Sequence, residues 1–502
     1  MLEPITKQDW NIFTAAHLLN RAGFGGTPET IADAFKLGPN EAVNRLLQAG
    51  TAPQVPEDTS FDEPTNLLAK RQEVQDMMKS EGIDQDEARK RVQKTDRKGE
   101  REEVQDLVEW WLGLMVSNQA PLREKMTLFW HGHFATSMQK VKDANLMYRQ
   151  NVLFRQYATG NFGTLAKEVT RDPAMMVYLD LQTSKDGMPN ENFAREVMEL
   201  FTLGEGHYTE DDIKQAARAF TGYRLNRTDR SFVFLPRQHD TGAKQVLGKS
   251  VDNGDDVIGA ILAKPECAEF MTKKVWRFFV GDHVPEPQIK VLANTFRQSD
   301  YEMAPMLRQL FLSKEFYSND VMRKQIKSPV QWMVNNAIIM GVELPPARVL
   351  RQASQSLGQE LFFPPNVKGW DGGRAWINSS TLLQRYNLAA AFTGQNMESL
   401  DRGTGRKNNA KTSGPLAQAA EARLARQATM HPDLAEIAPP ELREDLPALM
   451  QDLAFRLYQA PLQPRQAEAF AKYWFDSASQ SSDDRVRGLL HLMMSTPDFQ
   501  LS

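Results

Sequence analysis

Two histidines stand one glycine apart in "MTLFWHGHFATS" (126–137), in a chain that holds only eight histidines among 502 residues. Imidazoles are borderline ligands for Zn, Mn or Fe, and beside carboxylates they also serve acid/base chemistry. The carboxylates come from "DGMPNENFAREVMELFTLGEGHY", where Asn192, Glu196 and Glu199 fall at i, i+4 and i+7 of a predicted helix. That helix starts near Glu191 and ends near Gly204, with Arg195 and Glu199 spaced to pair across one turn. His207 lies on the turn "GEGHY", Asp180 closes the apolar run "MMVYLDLQ", and "RQHDTG" adds His239 and Asp240. Together these residues predict a carboxylate–histidine pocket. Glu196, His207 and Asp180 are the acid/base candidates, and His131, His133, His239 and Asp240 are the candidate ligands of a divalent metal. Asn192 and Arg195 would orient substrate.

Spacing tempers that reading. On a regular helix, residues two apart point about 200° away from each other, so only one of His131 and His133 can face a shared site. His133 is the better candidate, because Trp130 shares its face and offers an aromatic wall. Neither HExxH nor a Glu-x-x-His repeat is present. The plainer alternative makes Glu196 and Glu199 an ordinary surface face and each histidine a core residue bonded to backbone. A glycosidase pair, Glu196 with Asp180 or Asp240, would be decided by carboxyl separation. No GxSxG elbow, Walker A loop or strand-borne GxGxxG occurs.

A second unusual stretch is "LFFPPNVKGWDGGRAWINSSTLLQRYNLA" (361–389), whose Pro-Pro and Gly-Trp-Asp-Gly-Gly runs demand an irregular loop. Trp370 and Trp376 either fill a gap in the core or form a stacking platform for a sugar or other planar ligand, with Arg374 beside them to hold a carboxylate or a backbone carbonyl. The loop should re-enter a helix through a cap at Asn378 or Ser379.

The elements that must position these residues are mostly helical. "DWNIFTAAHLLNRAGFG" and "TPETIADAFKLG" carry helical periodicity, cap residues and glycine stops. Residues 63–118 begin polar all round and end in "LVEWWLGLMV", which predicts a polar helical arm near 66–105 that docks by its C-terminal part. "SFVFLP" (231–236) and "KQVLG" (244–248) are the strand-like stretches, enough for one small hairpin. "WRFFVGDHVPEPQIKVLANTF" (276–296) is echoed by "FRLYQAPLQPRQAEAFAKYWF" (455–475), and each continues into a Leu-rich helix. The expected fold is mainly α: a multi-helix bundle with a duplicated helical unit. A main helical domain would span 1–400, and a linker or variable insertion 401–445. The C-terminal helical unit, 446–502, would resemble 275–320.

Bulk properties remove several function classes. With 60 Lys and Arg against 64 Asp and Glu, the net charge is −4, and no basic block exists to neutralise phosphates, so nucleic acid is not an expected partner. The single cysteine, Cys267, excludes an intrachain disulfide framework and Cys-rich metal sites. No window holds the roughly 18 apolar residues of a membrane span. The opening residues have no basic, then apolar, leader pattern, so the chain as written reads as cytoplasmic; a leader removed beforehand would make it periplasmic or exported.

The stretches "HLLNRAGFGGTPE", "FWHGHFATS", "NENFAREVMELFTLGEGHYTEDDIKQAARAFTGY", "HDTGAKQVLG" and "FPPNVKGWDGGRAWINSSTLL" together resemble the bacterial family called domain of unknown function 1800. They follow the family's order from residue 17 to about 390, and the ending "LMMSTPDFQ" is also typical. The family name carries no reaction. The resemblance implies an envelope or periplasmic role, because members commonly carry export signals. It also implies a partner of a sulfatase-like family, whose genes stand beside theirs. The expected function is a hydrolase with a carboxylate–histidine pocket, metal-assisted, acting on a polysaccharide or other envelope polymer. The alternative is a non-catalytic binding or assembly module that works with a partner protein.

Overall fold

The computed structural model describes residues 2–48, 59, 61, 66–395 and 430–502, and about 65% of it is helical. The first helices are α1 (Ile12–Ala22) and α2 (Pro28–Gln48). Gly38, at φ 76°, breaks α2 where the sequence reading stopped it, and Pro39 then restarts it as the same element. The polar arm is a hairpin of α3 (Leu67–Glu81) and α4 (Gln85–Ser117). No residue of α3 is buried, whereas Val104, Leu107, Val108, Trp111, Leu112 and Met115 bury one stripe of the C-terminal half of α4. The arm is polar where it meets solvent and apolar where it meets the body.

Next come α5 (Pro121–His133), α6 (Met138–Val141), α7 (Ala144–Gln156), α8 (Phe162–Arg171), α9 (Pro173–Tyr178) and α10 (Glu191–Glu196). α10 runs without interruption into a π-helix, Val197–Thr202, and α11 (Glu210–Ala219) follows. The strand content is two separate antiparallel ribbons, each of two strands. β1 (Tyr223–Leu225) pairs with β2 (Phe232–Phe234), and β3 (Lys244–Val246) pairs with β4 (Lys249–Val251). The two strand-like stretches therefore do not pair with each other; each finds a closer neighbour across its own short turn.

The remaining helices are α12 (Gly254–Leu262), α13 (Pro265–Phe279), α14 (Glu286–Gln298), α15 (Met303–Phe311), α16 (Pro329–Met340), α17 (Ala347–Leu357) and α18 (Ser379–Phe392), then α19 (Leu434–Ile437), α20 (Pro440–Arg443), α21 (Leu446–Tyr458), α22 (Pro464–Asp476) and α23 (Ser482–Met494). The echoed segments share their order of elements. α13, α14, α15 and a 3-10 turn at Lys314–Tyr317 correspond to α21, α22, α23 and a 3-10 turn at Asp498–Gln500. The stretch expected as a linker lies outside the described residues up to 429. Its described part forms α19 and α20, with Leu434 and Ile437 buried in the C-terminal core.

Three apolar clusters make up the interior, and a polar seam joins them. Buried Lys125 donates to Gln331, whose amide donates to the Asn20 carbonyl at 3.2 Å. Asn335 donates to the Asn20 side chain at 3.4 Å and accepts from the Lys327 ammonium at 2.9 Å. Arg385 reaches the Lys327 carbonyl at 2.8 Å and Gln500 at 3.1 Å, while Asn20 donates to Gln459. Arg21, beside Asn20, donates to the carbonyls of Phe279, Val280 and Val321. Among the described residues, none of these four cations has a carboxylate within ion-pair distance. Burial instead pushes Lys125 and Lys327 down to about 7. α1 thus anchors to segments more than 250 residues away.

Candidate functional site

His131 and His133 end α5 and diverge, as helical geometry requires. His131 is buried against Trp111, Phe362 and Trp370, and its Nε2 accepts the Phe362 N–H at 3.0 Å. His133 is buried on the other side among Phe129, Phe134, Phe201 and Phe270, and its Nε2–H donates to the Phe201 carbonyl at 3.0 Å. Burial lowers both rings to about 3, helped at His133 by the Lys274 ammonium. Both imidazoles are therefore neutral at physiological pH, in opposite tautomers: His131 carries its proton on Nδ1 and His133 on Nε2. The lone pair that a metal would need on His131 Nε2 is already engaged.

Gly132 is open to the aromatic loop. The backbone of Gly369 packs onto the Gly132 carbonyl so closely that a Cβ on Gly369 would overlap that oxygen; Gly369 also has φ +81°. This clamp seats the loop on the end of α5 and brings Lys368 and Trp370 beside it. Trp370 leans on His131 with ring centroids 5.6 Å apart and stays half-exposed. Trp376 is buried and fills the core, whereas Arg374 is exposed. Asn378 caps α18 through a reciprocal bond with Thr381.

The predicted helix 191–204 is α-helical only to Glu196. It then widens: Leu203 N–H bonds five residues back to Met198, and the Thr202 hydroxyl bonds to Val197. His133 supports this wide turn from beneath by taking the Phe201 carbonyl. A cavity of about 10 Å³, lined by Phe134, Val197, Phe201 and Thr202 among others, lies behind it. π-turns are rare and concentrate at functional sites. Here the extra width takes Glu199 out of the expected register. Arg195 does not pair with Glu199; it holds Glu210 in a two-point ion pair at 2.8 and 2.6 Å. Glu199 accepts the Tyr208 hydroxyl at 2.8 Å instead.

Glu196 stands half-buried at the start of the π-turn. Its carboxyl is raised above the usual carboxylate range, first by burial and then by the neighbouring Glu199 charge; Lys368 and Arg195 oppose that. Tyr178 shares the site, since the Glu196 charge helps hold its phenol above the ordinary range after burial. Asp180 sits next door, exposed at φ 58°, and pairs with Lys140 at 2.6 Å. Asn192 is exposed one turn before Glu196, and His207 is exposed on its own turn. The structure therefore gathers Glu196, Glu199, Tyr178 and Lys368, while Asp180 is committed to Lys140.

His239 and Asp240 belong to a different knot. The Asp240 carboxylate takes Arg218 at 2.6 and 3.0 Å, and this pair holds it below the usual range. Lys244 donates to the carbonyls of Asp240 and Gly242 at 2.5 and 3.0 Å. The His239 Nδ1–H bonds the Thr221 carbonyl at 2.9 Å. Among the described residues, no three His, Cys, Asp or Glu side chains stand close enough to hold a metal ion. The predicted ligand set is thus spread over three places: His131 and His133 on opposite sides of α5, and His239 with Asp240 by the ribbons. Tyr178, Tyr208 and Lys368 escaped sequence reasoning. Tyr178 lies two residues before Asp180, and Lys368 lies inside the aromatic-loop motif, so their only signal was proximity to residues already singled out.

A family model described as "Protein of unknown function (DUF1800)" matches residues 17–501, nearly the whole chain. No curated protein and no solved structure matches.

Proposed function

The chain belongs to the DUF1800 family of proteins of unknown function, and from its geometry we propose that it is a hydrolase whose proton donor is Glu196. One observation carries this reading: the Glu196 carboxyl is half-buried, raised by desolvation and by Glu199, and stands where α10 gives way to the π-turn. A raised carboxyl beside a second carboxylate is the arrangement by which one acid keeps its proton near neutral pH while its neighbour stays charged. Tyr208 holds Glu199 in place, and Tyr178 lines the same face. Trp370 supplies an aromatic surface for a sugar ring. A polysaccharide of the cell envelope is the substrate class this combination suits, and a metal, if used, would bind here with substrate rather than in a preformed protein cage.

The test is turnover of chromogenic glycosides, esters and isolated envelope polysaccharide by the purified chain and by Glu196→Gln. General acid catalysis predicts a loss of about 10²–10⁴ in kcat at unchanged folding stability. The rate should fall as pH rises through the raised Glu196 value, because only the protonated form donates. Full activity in Glu196→Gln sinks the proposal.

A second reading has its own support: His131, His133, Arg195 and Asp240 are all committed to structural partners. A binding module acting with another protein would use the same face without turnover. Polysaccharide that is retained by the wild type and by Glu196→Gln, but never cleaved, selects it.

A further inference from the structure

We propose that Lys274, Arg277 and Lys368 form an anion subsite beside Glu196, built for a sulfate, phosphate or carboxylate group on the molecule that reaches that residue. This rests on the reading of Glu196 as the reactive carboxyl.

The geometry comes from three elements that meet at the end of α5. On α13, Phe270 lies 6.5 Å from the His133 ring and Phe278 lies 5.2 Å from the Phe129 ring. The intervening turn, with Lys274 and Arg277, is therefore laid along α5. Lys274 is half-buried, its ammonium 5.3 Å from the Phe270 ring centre. Lys368 arrives from the aromatic loop, whose next residue, Gly369, is clamped on Gly132. Electrostatics agree with the placement. Burial, then Arg277 and Lys368, hold the Lys274 ammonium below its ordinary range, and Lys368 also draws down Glu196. Lys368 is thus within charge range of both the Lys274 ammonium and the Glu196 carboxyl.

Two other cations near this face are neutralised: Lys140 by Asp180 and Arg195 by Glu210. Among the described residues, Lys274, Arg277 and Lys368 have no carboxylate within ion-pair distance. Three like charges close together, one largely withdrawn from water, repel one another and lose hydration. An anion set among them relieves both penalties at once and gains charge-assisted hydrogen bonds. A negatively substituted polymer would then lie with its charge on this trio and its neighbouring bond at Glu196.

Calorimetric titration of the full chain is the test, with inorganic sulfate, inorganic phosphate, sulfated dextran, phosphorylated dextran and plain dextran. The charged dextrans should bind and plain dextran should not. Lys368→Ala plus Arg277→Ala, both at exposed positions, should weaken charged-dextran binding at least about tenfold. Tighter binding by the dextrans than by the inorganic ions identifies a polymer-borne group; binding of the ions alone identifies a free anion at the same subsite. Glu196→Gln should leave anion binding intact. If that variant keeps full turnover, the assignment of Glu196 fails while the anion result stands. Equal binding by the double variant and the wild type, or no anion binding at all, overturns the subsite.

Discussion

A histidine that accepts from a backbone N–H and one that donates to a backbone carbonyl have opposite needs, and this pair places them two residues apart. His131 and His133 act as polar rivets in aromatic surroundings. His133→Ala would leave the Phe201 carbonyl without its partner and open a void beneath the π-turn, at a cost of about 2–4 kcal/mol in denaturant unfolding. A larger buried commitment is Glu124, which takes Arg155 at 2.7 and 2.9 Å and the Trp111 indole at 2.9 Å. Glu124→Ala would strand a buried guanidinium and should cost about 3–5 kcal/mol. That the two rings diverge was legible in the sequence, because it follows from helical pitch alone. The sequence could not show that His133 meets the Glu196 segment from below, through a carbonyl. That contact depends on which turn of a distant helix lies against the ring.

At the scale of elements, caps and stops were readable, but register was not. Thr209 and Asp212 form a reciprocal cap on α11, and Asn378, one of the two cap residues expected, does the same for α18. The change to a π-turn after Glu196 left no signal in the periodicity, since the same apolar residues suit either winding. The Arg195–Glu199 pairing expected from i, i+4 spacing failed for that reason. The strand-like stretches were also found, yet each pairs with a neighbour too short to stand out alone. The clamp between α5 and the aromatic loop yields a sharp contrast. Gly369→Ala combines a positive φ with overlap at the Gly132 carbonyl, and should cost about 2 kcal/mol or more. Gly132→Ala meets only the Trp370 ring, at 3.9 Å, and should be neutral or stabilising by up to about 1 kcal/mol. Thermal unfolding of the two variants would measure the difference.

For the whole molecule, opposing buried charges set the pH response. Lys125 and Lys327 have folded-state values depressed to about 7 from 10.5. The stability they allow is therefore present above pH 10.5 and is lost as pH falls toward 7. Asp172, which caps α9, is raised by burial to about 7 from 3.8, so its stability is present below pH 4 and is lost as pH rises toward 7. Lys125→Met should raise the unfolding midpoint relative to wild type at pH 6, and that advantage should shrink by pH 10. Asp172→Asn should help at pH 8 and not at pH 4. A difference that is flat with pH would show that these groups are not the source. The mainly helical class and the repeated helical order were legible from composition and pattern. The seam of lysines was not, because each lies in a sequence context that reads as an ordinary polar position.

That seam also bears on how the chain assembles during synthesis. Asn20 and Arg21 emerge early, yet their partners extend from Phe279 to Gln459, and the Lys327–Arg385 end of the seam closes only on Gln500. Until the last helices are made, α1 holds polar groups that have nowhere to go but water. Docking of these segments is therefore a non-local step, and a variant truncated before Gln500 should be cut faster than the whole chain in limited proteolysis, because its seam stays open.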